Sequence, residues 1–220
     1  MLTLAAATLA GCPDREVSEL NPAQAKEELK DIPLTINRDI DILFVIDNSG
    51  SMREEQASLA TNFPNFINVL NTIEGGLPNV HIGVISSDMG TLNVNTGDSA
   101  CGNPGDNGSM TVNGCAGVTG NFLIDLDTNA DGTRDTQNYS GGSLSATFSC
   151  MAQLGTGGCG FEQHLEAMKS ALNPNNPVNN GFLRPGAYLA VIFLADEDDC
   201  SAKNPAFFGP TDDTMGPLDS

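Results

Sequence analysis

Basic residues are scarce. Nine Lys and Arg stand against 28 Asp and Glu, a formal net charge of −19 with an isoelectric point near 4.1. A surface of that sign repels a phosphate backbone, so nucleic acid is excluded as a partner. Tryptophan is absent and charged residues make up only 17% of the chain, while Gly occurs 24 times; the surface is therefore expected to be rich in loops and small polar groups. The N-terminal apolar stretch, Leu2–Ala10, falls well short of the ~20 residues that cross a bilayer. No CxxC pair occurs and the two His residues lie far apart, which leaves a zinc site poorly supported. No Ser/His/Asp or Cys/His arrangement for nucleophilic catalysis stands out either. His81 sits inside a strand-like run and His164 on a helix, and both read as structural or solvent-facing.

What is present suits one domain. The 220 residues are 40% hydrophobic, enough for a single core and too few for two comfortable ones. Leu9-Ala10-Gly11-Cys12 resembles the lipobox of bacterial lipoprotein signal peptides. That resemblance implies cleavage before Cys12, diacylglycerol on its thiol, and an anchored domain on the periplasmic side or cell surface of a bacterial envelope. No Lys or Arg precedes the apolar stretch, a departure that a start site assigned too late would explain. The competing reading is an ordinary apolar N-terminus with an incidental Cys.

Five further cysteines agree with an oxidising compartment. Cys101 with Cys115, closing a Gly/Asn-rich loop, is the first pairing to expect, and Cys150 with Cys159 the second. Cys200 is then left over.

Residues 13–36 are polar and read as a tether, leaving 37–220 as the domain. Three largely apolar runs follow: Ile42–Ile46, Val80–Ile85 (with His81 inside it) and Tyr188–Leu194. Runs of this kind fit strands covered on both faces, hence a mostly parallel sheet. Between the first two, Leu59, Phe63, Phe66, Ile67, Leu70 and Ile73 recur at helical spacing, with Pro64 expected to kink or split the helix. A second helix is expected at Phe161–Leu172. The class is therefore α/β, built from βαβ units and flanked by helices. Residues 89–143 interrupt it as a disulfide-bearing, loop-rich insertion with one short strand at Phe122–Ile124.

The chemistry sits where the first strand stops. Asp47-Asn48-Ser49-Gly50-Ser51 follows a buried run and precedes a helix, and open α/β sheets present ligand sites at the carboxyl ends of strands. One carboxylate and two hydroxyls are hard oxygen donors suited to Mg²⁺ or Mn²⁺. The segment Asp41–Met52 resembles the first strand and metal-ion-dependent adhesion site of von Willebrand factor A domains, over roughly residues 37–200. The resemblance implies a Rossmann-like, doubly wound sheet. It also implies metal ligation by Ser49 and Ser51, directly or through water by Asp47, and by Asp196 after the third apolar strand. Ala195-Asp196-Glu197 departs from the usual Thr-Asp-Gly, and the tail Glu197-Asp198-Asp199 adds charge, with Asp198 and Asp199 expected to be a solvated loop. A metal-binding Thr is expected in a Gly-rich loop before a helix. Gly155-Thr156-Gly157-Gly158-Cys159-Gly160 matches, although counting back from the helix puts Cys159 rather than Thr156 in the slot. In that family a partner's Asp or Glu completes the coordination, so the implied function is protein binding and not catalysis. The family also continues with a helix and two strands after the segment matching Asp196, where 24 residues remain here.

A second acidic cluster, Asp125, Asp127, Asn129, Asp131 and Asp135, with Gly132 at the turn, resembles a calcium loop of the thrombospondin type 3 or EF-hand-like kind. The bland alternative is an Asp/Asn-rich surface turn. Together with an inactive adhesion site, a calcium loop would make the protein a Ca²⁺-stabilised envelope component. Phe122–Asp127 also resembles the first motif of haloacid-dehalogenase-type phosphatases, but Asn129 stands where that motif has Thr or Val and no catalytic Lys is evident. A metal-dependent hydrolase is thus the weakest of the three readings.

Overall fold

The computed structural model describes residues 37–91, 99–101 and 105–202. The apolar leader, Cys12 and the 13–36 tether lie outside the described residues, as do parts of the insertion. In chain order the elements are β1 (Asp39–Ile46), α1 (Arg53–Asn71), β2 (Asn79–Ser86), β3 (Leu123–Leu126), β4 (Thr136–Gln137), α2 (Leu144–Met151), α3 (His164–Ala171) and β5 (Tyr188–Leu194). They form a five-stranded sheet ordered β4-β3-β2-β1-β5.

The class is α/β as expected, but the sheet is mixed. β1 runs parallel to β2 and β5, whereas β3 is antiparallel to β2 and β4 to β3. The physical reason lies in the connection. A parallel neighbour needs a crossover back along the sheet, usually a helix; among the described residues between β2 and β3 there is only a short 3₁₀ turn at Ser99–Cys101. β3 accordingly enters the sheet in the opposite direction.

β1 explains the layering. Successive side chains on a strand point to opposite faces. Ile42, Phe44 and Ile46 join α1 and α2 residues Phe63, Ile67, Phe148 and Met151 in one core, while Leu43 and Val45 meet Ala167, Ala171 and Phe182 in another. Phe63 stacks on Phe148 with ring centroids 3.6 Å apart, and Phe44 lies 4.6 Å from Phe148. On β2, Gly83 is required by close approach: a Cβ there would meet Met110 Sδ at 2.8 Å and Phe182 Cε2 at 3.1 Å. β5 is an edge strand, and its Tyr188, Leu189 and Phe193 are exposed. No helix among the described residues is long and apolar enough to cross a membrane.

Pro64 does not split α1, which is a single 19-residue helix. A proline has no N–H for the carbonyl four residues earlier, which here is that of Ala60. The Ser149 hydroxyl of α2 donates to that carbonyl at 2.6 Å, so the freed acceptor is satisfied by a neighbouring helix. α2 itself starts at Ser143, whose side chain accepts from the Ala146 N–H.

The disulfides are Cys101–Cys159 and Cys115–Cys150, correcting both expected pairings. Pairing near neighbours in sequence ignored where the insertion lies. It is folded against the strand ends and α2, so each bridge ties it to the body of the domain, across 58 and 35 residues. Cys200 is free and exposed.

Three of the few basic residues hold the amino-terminal end of the sheet. Arg184 donates to buried Asp41 at 2.7 Å and to the Ile40 and Asn79 carbonyls. Arg134 pairs with Asp125 and reaches the Leu77 and Pro78 carbonyls; Arg38 reaches those of Gly76 and Leu77. His81 lies buried on β2 with Nδ1 2.8 Å from the Phe182 carbonyl. Burial lowers its pKa and the Arg184 charge adds to this, against the smaller upward pull of the Phe182 carbonyl.

Two outcomes follow. Ser149→Ala should cost about 1–2 kcal/mol by orphaning the Ala60 carbonyl, read by chemical denaturation followed by circular dichroism. The fold accommodates His81 as the neutral ring, so its contribution is complete above the ordinary value of 6.5 and is lost as pH falls through the lower folded value. His81→Asn, which keeps an N–H near the Nδ1 position, should therefore show a shallower fall in stability than the parent between about pH 7 and 5.

Candidate functional site

β1 lies between two parallel strands, with α1 and α3 packed on opposite faces. Its carboxyl end is thus the crevice where chains diverge to the two faces, the usual ligand position in such sheets. Backbone pairing continues one step past the strands: Asp47 N–H donates to the Leu194 carbonyl at 2.9 Å, and Ser87 N–H to that of Ile46 at 3.2 Å. Asp47 and Ser87 are thereby fixed side by side at the strand ends.

The turn after β1 is braced from several directions. Asp47 Oδ1 accepts the Ser49 N–H at 2.7 Å, leaving Oδ2 buried without a hydrogen-bond partner. The Ser49 and Ser51 hydroxyls lie 3.3 Å apart. Gln56 of α1 clamps turn to loop, donating to the Asp47 carbonyl at 2.8 Å and the Gly155 carbonyl at 2.9 Å while accepting from the Gly155 N–H. Gly158 N–H donates to the Asn48 carbonyl at 2.8 Å. The glycine-rich loop therefore does meet the Asp47–Ser51 turn.

The expected ligands are placed unevenly. Asp47 and Ser49 are buried, and Ser51 is exposed at the mouth. Thr156 is half-buried in the adjoining loop, and among the described residues no hydrogen bond joins it to Asp47, Ser49 or Ser51. Cys159, in the alternative slot, is consumed by its disulfide. Asp196 is exposed two residues beyond β5. Asp199 is exposed; it accepts from the Leu165 N–H at the start of α3 at 3.1 Å and lies 3.8 Å from His164 Nδ1.

Glu162, which the sequence did not single out, and His164, read from it as structural or solvent-facing, lie at the same end of the sheet. Glu162 is fully buried, and neither carboxylate oxygen has a hydrogen-bond partner. His164 is buried with Nε2 unpartnered, 3.8 Å from Asp47 Oδ2. Ser87 Oγ is likewise buried and unpartnered. The Gln163 N–H donates to the Ser87 carbonyl at 3.0 Å, and the Cys200 N–H to the Glu162 carbonyl at 2.7 Å, which pins 162–164 over the strand ends. The only sequence signal was an acidic residue and a His two apart, directly after the glycine-rich loop.

The electrostatics are those of an under-compensated negative site. Burial by itself would raise the Asp47 pKa; His164, the Ser49 N–H and the Ser49 hydroxyl outweigh it and hold the carboxyl below its ordinary value. For Glu162 burial wins, reinforced by the charges of Asp47 and Glu197, and its carboxyl is raised despite favourable backbone and Ser49 contributions. An unpaired buried carboxylate costs several kcal/mol. The donor chemistry fits a divalent cation: Asp47 Oδ2 is orphaned, and two hydroxyls stand beside it. Among the described residues no three His, Cys, Asp or Glu side chains already converge as a preformed cage.

The second acidic cluster is differently used. Asp125 is buried on β3, held by Arg134, Gln137 and the Tyr139 hydroxyl. Asp127 accepts the Asp131 and Gly132 N–H groups, Asn129 that of Asp131, and Asp131 that of Thr133. Asp135 accepts from the Thr128 N–H and hydroxyl. The turn brings Asp127, Asn129 and Asp131 together but commits oxygens of each to backbone amides, while Asp125 turns to Arg134.

Comparison with family models, with curated proteins and with solved structures finds no match to this chain.

A Cβ on Gly158 would meet Asn48 Oδ1 at 2.1 Å and Cγ at 2.4 Å. Gly158→Ala should therefore push the loop off the Asp47–Ser51 turn, destabilising the fold by about 1–3 kcal/mol. Thermal unfolding by circular dichroism checks the loss, and hydrogen exchange at residues 48–52 should rise with it.

Proposed function

We propose that this chain is an exported von Willebrand factor A-like module that binds a protein partner through a divalent cation held at Asp47, Ser49 and Ser51. The observation that carries the reading is the orphaned, buried Asp47 Oδ2 beside two paired hydroxyls at the carboxyl end of the central strand. A helix on either face and parallel neighbours on both sides of β1 support a doubly wound relationship to that family. Thr156 stands on the adjoining glycine-rich loop and Asp196 two residues beyond β5.

Asp47 divides its work: Oδ1 holds the turn through the Ser49 N–H, and Oδ2 supplies charge. Ser49 and Ser51 add neutral donors, and the Gln56 clamp keeps turn and loop in register. A bound Mg²⁺ or Mn²⁺ offers an electropositive point to which an Asp or Glu of the partner can bind. Ser51 at the mouth keeps that face open. Two disulfides support an oxidising, extracytoplasmic setting, consistent with anchoring at Cys12 in the bacterial envelope.

The test is thermal unfolding in saturating Mg²⁺ against EDTA, paired with retention on an immobilised Asp/Glu-rich peptide. Cation at about 100 times its Kd adds ~2.7 kcal/mol, a rise of roughly 5–10 °C for a domain of this size. Asp47→Ala should abolish the rise, and Ser49→Ala should abolish retention while leaving the metal-free melting temperature unchanged. Melting indifferent to metal in parent and Asp47→Ala alike would sink the proposal.

A further inference from the structure

Glu162 and His164 have no place in the ligand set that the sequence resemblance implies, yet they are the most conspicuous side chains at the strand ends. The Glu162 carboxyl, fully buried with both oxygens unpartnered, is an expensive arrangement if it is charged. Arg38, Arg134 and Arg184 all act at the opposite end of the sheet, so none of them neutralises it. Arg53, at the start of α1, is exposed, and among the described residues the one basic side chain within 4 Å of Asp47 is the His164 ring.

The geometry of that ring is specific. Nδ1 faces the Asp199 carboxylate at 3.8 Å, and Nε2 faces Asp47 Oδ2 at 3.8 Å with no hydrogen-bond partner. Metal-binding histidines characteristically present one nitrogen to the ion and the other to a carboxylate that fixes the ring. The Nε2–Oδ2 separation is also within the span of two donors sharing one ion. Bonds near 2.1 Å set adjacent donors about 3 Å apart and opposed donors about 4 Å apart.

We propose that Glu162 and His164 are direct ligands of the cation at this site, with Asp199 orienting the His164 ring, so that the site prefers Mn²⁺ to Mg²⁺. The inference rests on the cation-binding reading above and adds Glu162 and His164 to Asp47, Ser49 and Ser51. Two carboxylates and a hydroxyl are hard donors that Mg²⁺, Ca²⁺ and Mn²⁺ all accept; an imidazole nitrogen tips the set toward Mn²⁺. Glu162 also has a consequence for binding. It supplies from within the carboxylate that a partner would otherwise bring, so fewer positions remain open and partner capture is tuned by how firmly 162–164 is held by Ser87 and Cys200.

The test uses the purified chain loaded with Mn²⁺. Pulsed electron paramagnetic resonance should show ¹⁴N coupling from a bound imidazole, lost in His164→Gln and kept in Asp199→Asn. Calorimetry should show Mn²⁺ affinity falling about 100-fold in Glu162→Gln, with partial recovery in Glu162→Asp, and about tenfold in Asp199→Asn. Mn²⁺ should outcompete Mg²⁺ by about tenfold or more in the parent, and that preference should shrink in His164→Gln. Circular dichroism confirms folding; should His164→Gln fail to fold, the parent spectrum and Asp199→Asn still decide. Tight Mn²⁺ binding without ¹⁴N coupling, and unchanged in Glu162→Gln, would overturn this inference while leaving the Asp47, Ser49 and Ser51 reading intact. Absence of Mn²⁺ binding by the parent would overturn both.

Discussion

Two carboxylates, Asp47 and Glu162, are both buried at the carboxyl end of the sheet, and among the described residues the only basic side chain within 4 Å of Asp47 is the His164 ring. Most of the local architecture makes sense as support for that arrangement. The Gln56 clamp, the paired backbone of Asp47 and Ser87, and the Gly158 contact with Asn48 all hold the surrounding chain rigid. Such bracing fixes the backbone that carries Asp47, Ser49 and Ser51, which the proposed cation site requires. The Cys101–Cys159 bridge adds to this by fastening the glycine-rich loop at its far end.

The distribution of charge follows the same logic. The chain has few basic residues, and three of them serve the amino-terminal ends of β1 and β2, where they satisfy Asp41, Asp125 and a row of backbone carbonyls. Among the described residues no Lys or Arg pairs with Asp47 or Glu162 at the carboxyl ends. The buried carboxylates at one end of the sheet are thus matched by guanidinium groups, and those at the other are not. Much of the acidity elsewhere is absorbed locally. Asp131 and Asp127 hold a turn, and Asp199 caps α3.

The sheet core was readable because its signals are local. Ile42–Ile46, Val80–Ile85 and Tyr188–Leu194 are largely apolar runs, and each lies within an observed strand. α1 was legible from its periodicity, although Pro64 pointed to a break that the Ser149 hydroxyl makes unnecessary, a contact between residues 89 apart. α2 went unread: Leu144, Phe148 and Met151 do recur at helical spacing, but within eight residues rich in Ser and Thr. Strand direction and disulfide pairing were misread for one reason, since both depend on where the insertion packs and not on its own composition. At the site, Asp47, Ser49 and Ser51 are contiguous and carry a recognisable pattern. Glu162 and His164 reach the same place from 115 residues away, and nothing local distinguishes them from an ordinary helix start.

Anomalous scattering from a crystal soaked in Mn²⁺ tests the central claim most directly. The account predicts one strong peak at the end of β1, within bonding distance of an Asp47 oxygen, a Glu162 oxygen and His164 Nε2. A crystal without a peak there, with Glu162 still buried and unpartnered, would contradict it.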